Sequence, residues 1–124
     1  ITSDGMARDI YDVPKGEKIV DCGKMTVALL TKHINNAKTV IMNGPVGLYE
    51  KGWKYGSEML ISHIGHKVGG TTILGGGDTL AVLEGIKDPK MSFGFVSLAG
   101  GAMLTYLEQG TLPGIDVLVE DVTP

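Results

Sequence analysis

Thr71-Thr-Ile-Leu-Gly-Gly-Gly-Asp-Thr-Leu-Ala-Val-Leu-Glu-Gly85 decides the fold. Its opening, Thr71 to Leu74, is β-branched and apolar, the composition of a strand buried in a parallel sheet. Leu80 to Leu83 are helix formers, three of them large and apolar, and Gly75-Gly76-Gly77-Asp78-Thr79 lies between the two segments. Strand, glycine turn and helix start in that order build an anion site. Glycine lets a ligand approach the backbone, and the first N–H groups of a helix have no acceptor within it. Asp78 is a natural helix cap and a hard oxygen ligand for Mg²⁺, and Thr79 adds a hydroxyl beside the same N–H groups. A plain βα turn with Asp78 as its N-cap accounts for the stretch equally well, so the rest of the chain must decide. Two phosphate loops are excluded here: no Lys follows the glycines, and Leu80 stands where a dinucleotide fingerprint needs its third glycine.

Outward from this stretch, the same grammar repeats. Upstream, Val27, Leu30 and Ile34 recur at helical steps within Thr26 to Asn36. Val40-Ile41-Met42 then reads as a short buried strand that runs into Asn43-Gly44-Pro45-Val46-Gly47-Leu48-Tyr49-Glu50, a glycine- and proline-rich loop. Met59, Leu60 and Ile64 mark a second helix. Downstream, Phe93 to Ser97 predicts a strand, and Leu98-Ala99-Gly100-Gly101-Ala102-Met103-Leu104 a helix start, with a stop near Gln109-Gly110. Ile19 to Gly23 reads as a short strand or an extended entry to the first helix. Ile1 to Lys18 reads as a surface segment with turns at Asp4-Gly5 and Pro14-Lys15-Gly16, and Val117-Leu118-Val119 as a last short strand. Strands alternating with helices predict an α/β fold, part of a doubly wound, Rossmann-like parallel sheet with helices on both faces. The three glycine loops leave the carboxyl ends of strands, so they should converge on one edge, where open α/β sheets bind ligands.

Composition narrows the function. The chain has 124 residues and a net charge of −3, which argues against nucleic acid, since that partner calls for a basic patch. Its single cysteine, Cys22, excludes an internal disulfide and fits a reducing compartment, and a cytoplasmic location is expected. No apolar run approaches a membrane span. Glycine is in excess, 19 residues, and it clusters where strands give way to helices, which points to ligand loops. Ile1 rather than Met opens the chain, so it reads as a fragment or a processed chain. His63 and His66 have a metal-binding spacing, but no Cys or carboxylate is placed to complete a tetrahedral site, and they read as surface histidines. Cys22 reads as a small buried side chain, Trp53 as a packing aromatic, and Met25, Met42, Met59, Met91 and Met103 as core filler. Glu120-Asp121 reads as a solvated face.

Three motifs in order resemble phosphoglycerate kinase, in the later part of its nucleotide-binding C-terminal domain. They are Asn43-Gly-Pro-Val-Gly-Leu-Tyr-Glu50, Gly75-Gly-Gly-Asp-Thr79, and Val96-Ser-Leu-Ala-Gly-Gly-Ala-Met-Leu104 leading to Leu107-Glu108 and Leu112-Pro113-Gly114. Asp21-Cys22-Gly23 and Trp53-x-x-Gly56-Ser57 look similar too, so the resemblance runs from about Val20 to Val119. It implies that residues 1–124 are the C-terminal part of the nucleotide-binding domain, without the N-terminal domain that binds the phosphoglycerate. The implied reaction is reversible, Mg²⁺-dependent phosphoryl transfer between 1,3-bisphosphoglycerate and ADP, giving ATP and 3-phosphoglycerate in glycolysis. This chain would supply ADP/ATP binding and be inactive alone, and the full-length protein would be a monomer.

Carried over by motif, Glu50 would accept hydrogen bonds from the ribose hydroxyls, and Asn43, Gly44, Pro45 and Leu48 would line the nucleoside. Asp78 would hold Mg²⁺ on the nucleotide phosphates. Gly75, Gly76, Gly77 and Thr79 would border the phosphate chain, and Gly100 and Gly101 would face the phosphoryl group in transfer. The third motif departs from the family pattern. Thr-Gly-Gly-Gly-Ala-Ser after His-Val-Ser is replaced by Leu98-Ala99-Gly100-Gly101-Ala102-Met103 after Phe95-Val96-Ser97, which requires Ala99 to keep a negative φ. Two other readings are a nucleotide-binding homologue without transfer activity and a piece of a dinucleotide-dependent oxidoreductase. The missing third glycine counts against the latter.

Overall fold

The computed structural model of the protein describes residues 1–120. Strands β1 (Thr39–Asn43), β2 (Thr71–Gly75) and β3 (Phe95–Ser97) form one parallel sheet in the order β1-β2-β3. Thr39 lies beside Thr71 and Ile73 beside Phe95, so Asn43, Gly75 and Ser97 finish level at the carboxyl edge. Helix α1 (Lys24–Asn36) precedes β1, α2 (Tyr55–Gly65) joins β1 to β2, and α3 (Gly77–Gly85) follows β2. Helices α4 (Gly100–Gln109) and α5 (Pro113–Glu120) follow β3. The expected parallel α/β arrangement is therefore what the chain adopts.

Alternation along the strands sorts the two faces. Leu74 points into a core with Ile61 and Ile64 of α2 and Val82 of α3, all at most 4% exposed, and Ile34 of α1, Val40 and Met42 pack against it. Gly75, next in sequence, faces the other way: a Cβ there would lie 2.3 Å from Met103 Cε of α4. Helices thus reach both faces, three on one and α4 at the tip of the other. On that second face Ile41 and Phe95 stay exposed.

Local chemistry explains the element ends. Gly110 closes α4 in the left-handed conformation (φ 74°) and its N–H donates to Tyr106 O, the stop that the sequence predicts. Ile19 pairs with Thr2 in an isolated antiparallel bridge, and Gly23 is extended at the entry to α1, so both readings of Ile19 to Gly23 are realised in part. Thr2 is buried beneath the first turn, and its hydroxyl, together with Arg8, holds the Asp4 carboxyl down at about 2.

Three expectations are corrected. Val117-Leu118-Val119 is helical, within α5, not a strand. Pro113 suits the first position of a helix, and the Ile115 and Asp116 N–H groups donate to Leu112 O, so local hydrogen bonding overrides the β-branched run. Met25 is 88% exposed rather than core, because it lies on the face of α1 away from buried Val27. Cys22 is half-buried; burial first, then the Asp21 charge, pushes its thiol pKa up. Asp121 and the side chain of Glu120, read as a solvated face, lie outside the described residues.

Candidate functional site

Two clefts open at the carboxyl edge of the sheet and share Asp78. The larger, about 340 Å³, is lined by Asn43 and Gly44 after β1, Gly76, Gly77 and Asp78 after β2, and Gly100 and Gly101 after β3. The smaller, about 220 Å³, is lined by Pro45, Gly47, Leu48, Tyr49, Glu50, Lys51 and Asp78. The convergence of three glycine loops follows from the register, which ends the three strands at one level.

The larger cleft is a backbone cradle. Gly76 turns with φ 93°, a conformation that other residues rarely adopt, and its carbonyl accepts the N–H of Leu80 to open α3. The N-cap of α3 is therefore Gly76, with no side-chain cap, and Asp78 lies in the first turn. Reading Asp78 as an N-cap is thus corrected. Gly100 approaches this turn so closely that a Cβ would lie 2.8 Å from Gly76 Cα and 2.6 Å from Asn43 Oδ1. Helices α3 and α4 both start here without a side-chain cap, leaving first-turn N–H groups directed at the cleft. Ala99 keeps φ at −87°, as its place in the third motif requires.

The smaller cleft is built from a loop held by hydrogen bonds to its neighbours. Leu48 N–H donates to Val20 O and Gly44 N–H to Thr79 Oγ1, both at 2.8 Å. Ser57 donates to Val46 O, and beside the loop Gly56 N–H donates to the Asp21 carboxylate. Thr79 is completely buried, and its hydroxyl joins the first two loops beneath the clefts. Leu48 and Glu50 remain exposed at the rim. Tyr49 donates its hydroxyl to Asp78 Oδ1 at 3.1 Å. That bond, followed by burial and the charges of Asp78 and Glu50, raises the Tyr49 pKa, so the phenol keeps its proton.

The chain matches the phosphoglycerate kinase family over residues 2–110. It belongs to that family. It is 35% identical to a phosphoglycerate kinase of Blochmanniella floridana over 96% of its length, and 40% identical to that of Citrifermentans bemidjiense over 88%. A solved phosphoglycerate kinase of Coxiella burnetii superimposes with a TM-score of 0.75 at 35% identity, covering 92% of this chain and 29% of that one. The chain spans about 30% of the length of the curated relatives it matches. These matches favour neither the oxidoreductase reading nor that of a non-catalytic homologue.

Every expected site residue except Gly75 and Thr79 lines one of the two clefts. Those two are buried beneath them. His66 is exposed, with Nδ1 at Ser62 O and Nε2 3.2 Å from Asp88, and among the described residues no three metal-ligating side chains converge. Sequence reasoning passed over two residues. In the sequence Tyr49 is only part of a motif, and no spacing rule links it to a carboxylate 29 positions away. Asp21, 5% exposed, accepts the N–H groups of Cys22 and Gly56, and its Oδ1 fills the space that a Cβ on Gly47 or Gly56 would take. The signal was available: an acid flanked by Val20 and Cys22 is unusual in a surface segment. Asp21→Ala leaves buried N–H groups without an acceptor, so the full-length variant is expected to lose about 1–3 kcal/mol in urea unfolding.

Proposed function

We propose that these clefts bind ADP and ATP for the reaction of phosphoglycerate kinase. Nucleoside occupies the cleft of Pro45, Leu48 and Glu50, and phosphates occupy the glycine cradle. The observation that carries the reading is the convergence of three glycine loops and two helix N-termini on a cleft with one carboxylate at its border. Glu50 at the rim accepts from the ribose hydroxyls, Leu48 offers apolar contact to the base, and the first N–H groups of α3, at Gly77 and Asp78, donate to phosphate oxygens.

The donor set fits Mg²⁺. One exposed carboxylate beside a phosphate cradle is how Mg²⁺ is held when it keeps waters and takes phosphate oxygens, without an all-protein cage. Asp78 would hold it, and it would supply charge neutralisation across the phosphates. In the transfer an ADP β-phosphate oxygen bonds to the phosphorus of the acyl phosphate. The bond from that phosphorus to the acyl oxygen breaks, and the carboxylate of 3-phosphoglycerate leaves. Gly100 and Gly101 keep the crossing path free of side chains, and the start of α4 faces the charge that redistributes. The phosphoglycerate and its binding residues belong to the rest of a complete enzyme, so this chain alone is inactive. The site of action is the cytoplasm. Among the described residues no helix is long and apolar enough to cross a membrane.

The test is ADP titration of full-length protein by calorimetry. Glu50→Ala removes a charged acceptor and is expected to cost about 1.5–3 kcal/mol of affinity. Base and phosphate contacts persist, so weak binding should remain. Unchanged affinity would take the ribose out of this cleft.

A further inference from the structure

We infer that Tyr49 is a positioning residue for Asp78, a latch by which the nucleoside loop aims the carboxylate that meets Mg²⁺. The inference rests on the nucleotide reading of the two clefts and goes beyond it. Tyr49 lies in the 3-10 turn Tyr49–Lys51, and its ring packs against the core cluster of Ile61, Ile64, Leu74 and Val82. One end of the side chain is thus fixed by packing, while the hydroxyl at the other reaches Asp78 Oδ1. Among the described residues Asp78 is the single one that lines both clefts. It is exposed and in the first turn of α3, where packing alone would leave its carboxylate free to rotate.

A hydrogen bond to one oxygen of a metal-binding carboxylate restricts that rotation and leaves the other oxygen for the ion. Partners of this kind are worth about 10- to 100-fold in metal affinity. Tyr49 also sits between Leu48 and Glu50, so whatever occupies the nucleoside cleft bears on the same turn that holds Asp78. Nucleoside binding and metal binding are therefore coupled through one phenol, and the coupling acts equally in both directions.

The experiment measures ADP affinity of the full-length protein in Mg²⁺ and in EDTA, for wild type, Tyr49→Phe, Asp78→Asn and the double variant. Tyr49→Phe retains the packed ring, so its melting temperature should hold. It is expected to reduce the gain in ADP affinity on adding Mg²⁺ by about tenfold, with the affinity in EDTA unchanged within about twofold. In the Asp78→Asn background the same change should have no further effect. A normal Mg²⁺ gain in Tyr49→Phe alongside a lost gain in Asp78→Asn overturns the latch and leaves the nucleotide reading standing. Equal loss with and without Mg²⁺ also overturns it, making Tyr49 cleft wall only. A normal gain in Asp78→Asn removes Asp78 as the metal ligand and the latch with it.

Discussion

Asp78→Asn in the full-length protein is expected to lower turnover by about 100-fold or more while its melting temperature moves by only a few degrees. A metal on the phosphates contributes several kcal/mol when charge redistributes in transfer, and each 1.4 kcal/mol or so is tenfold in rate. Nucleotide affinity should fall much less, because backbone N–H groups, the ribose acceptor and the base contacts remain. The fold has little to lose. The cap of α3 is Gly76, so the carboxylate contributes only its favourable charge in the first turn and its bond to Tyr49. Steady-state kinetics with a melting curve checks both halves. Near-normal turnover would return the loop to a simple βα turn.

Gly100→Ala should damage both stability and catalysis, and Gly101→Ala only the second. At Gly100 the new methyl would meet the backbone of Gly76 at 2.8 Å and Asn43 Oδ1 at 2.6 Å, and backbone cannot rotate out of the way. The start of α4 must then move from the β2–α3 turn, an overpacking cost of about 1–3 kcal/mol in urea unfolding. At Gly101 a methyl meets nothing within 4 Å, yet the residue lines the larger cleft. That variant should unfold like wild type, within about 0.5 kcal/mol, and still turn over more slowly as the methyl enters the phosphoryl path. Equal turnover of Gly101→Ala and wild type would remove Gly101 from that path.

Local signals carried much of the fold. The β-branched runs at Thr71 to Leu74 and Val40 to Met42, the helical spacing of Val27, Leu30 and Ile34, and the stop at Gly110 are all short-range, and each appears where predicted. The same kind of signal failed at Val117 to Val119, where propensity lost to hydrogen bonds onto Leu112 and a proline at the helix start. It failed at Met25 too, since side-chain type does not say which face of α1 meets the core.

The candidate site divides along the same line. By itself the sequence determined the parallel α/β class, the three glycine loops, and Asp78 and Glu50 as the carboxylates beside them, because loop and ligand chemistry is written in adjacent residues. Only the tertiary structure decided that Gly76 and not Asp78 caps α3, that Thr79 is buried as a tie between two loops, and that buried Asp21 accepts the N–H of Gly56. It alone brought the hydroxyl of Tyr49 to Asp78. These contacts join residues 29 to 35 positions apart, and those of Gly44 with Thr79 and of Tyr49 with Asp78 follow β1 and β2, whose register sets their loops side by side. Strand register is a collective outcome of core packing, which no run of adjacent residues encodes.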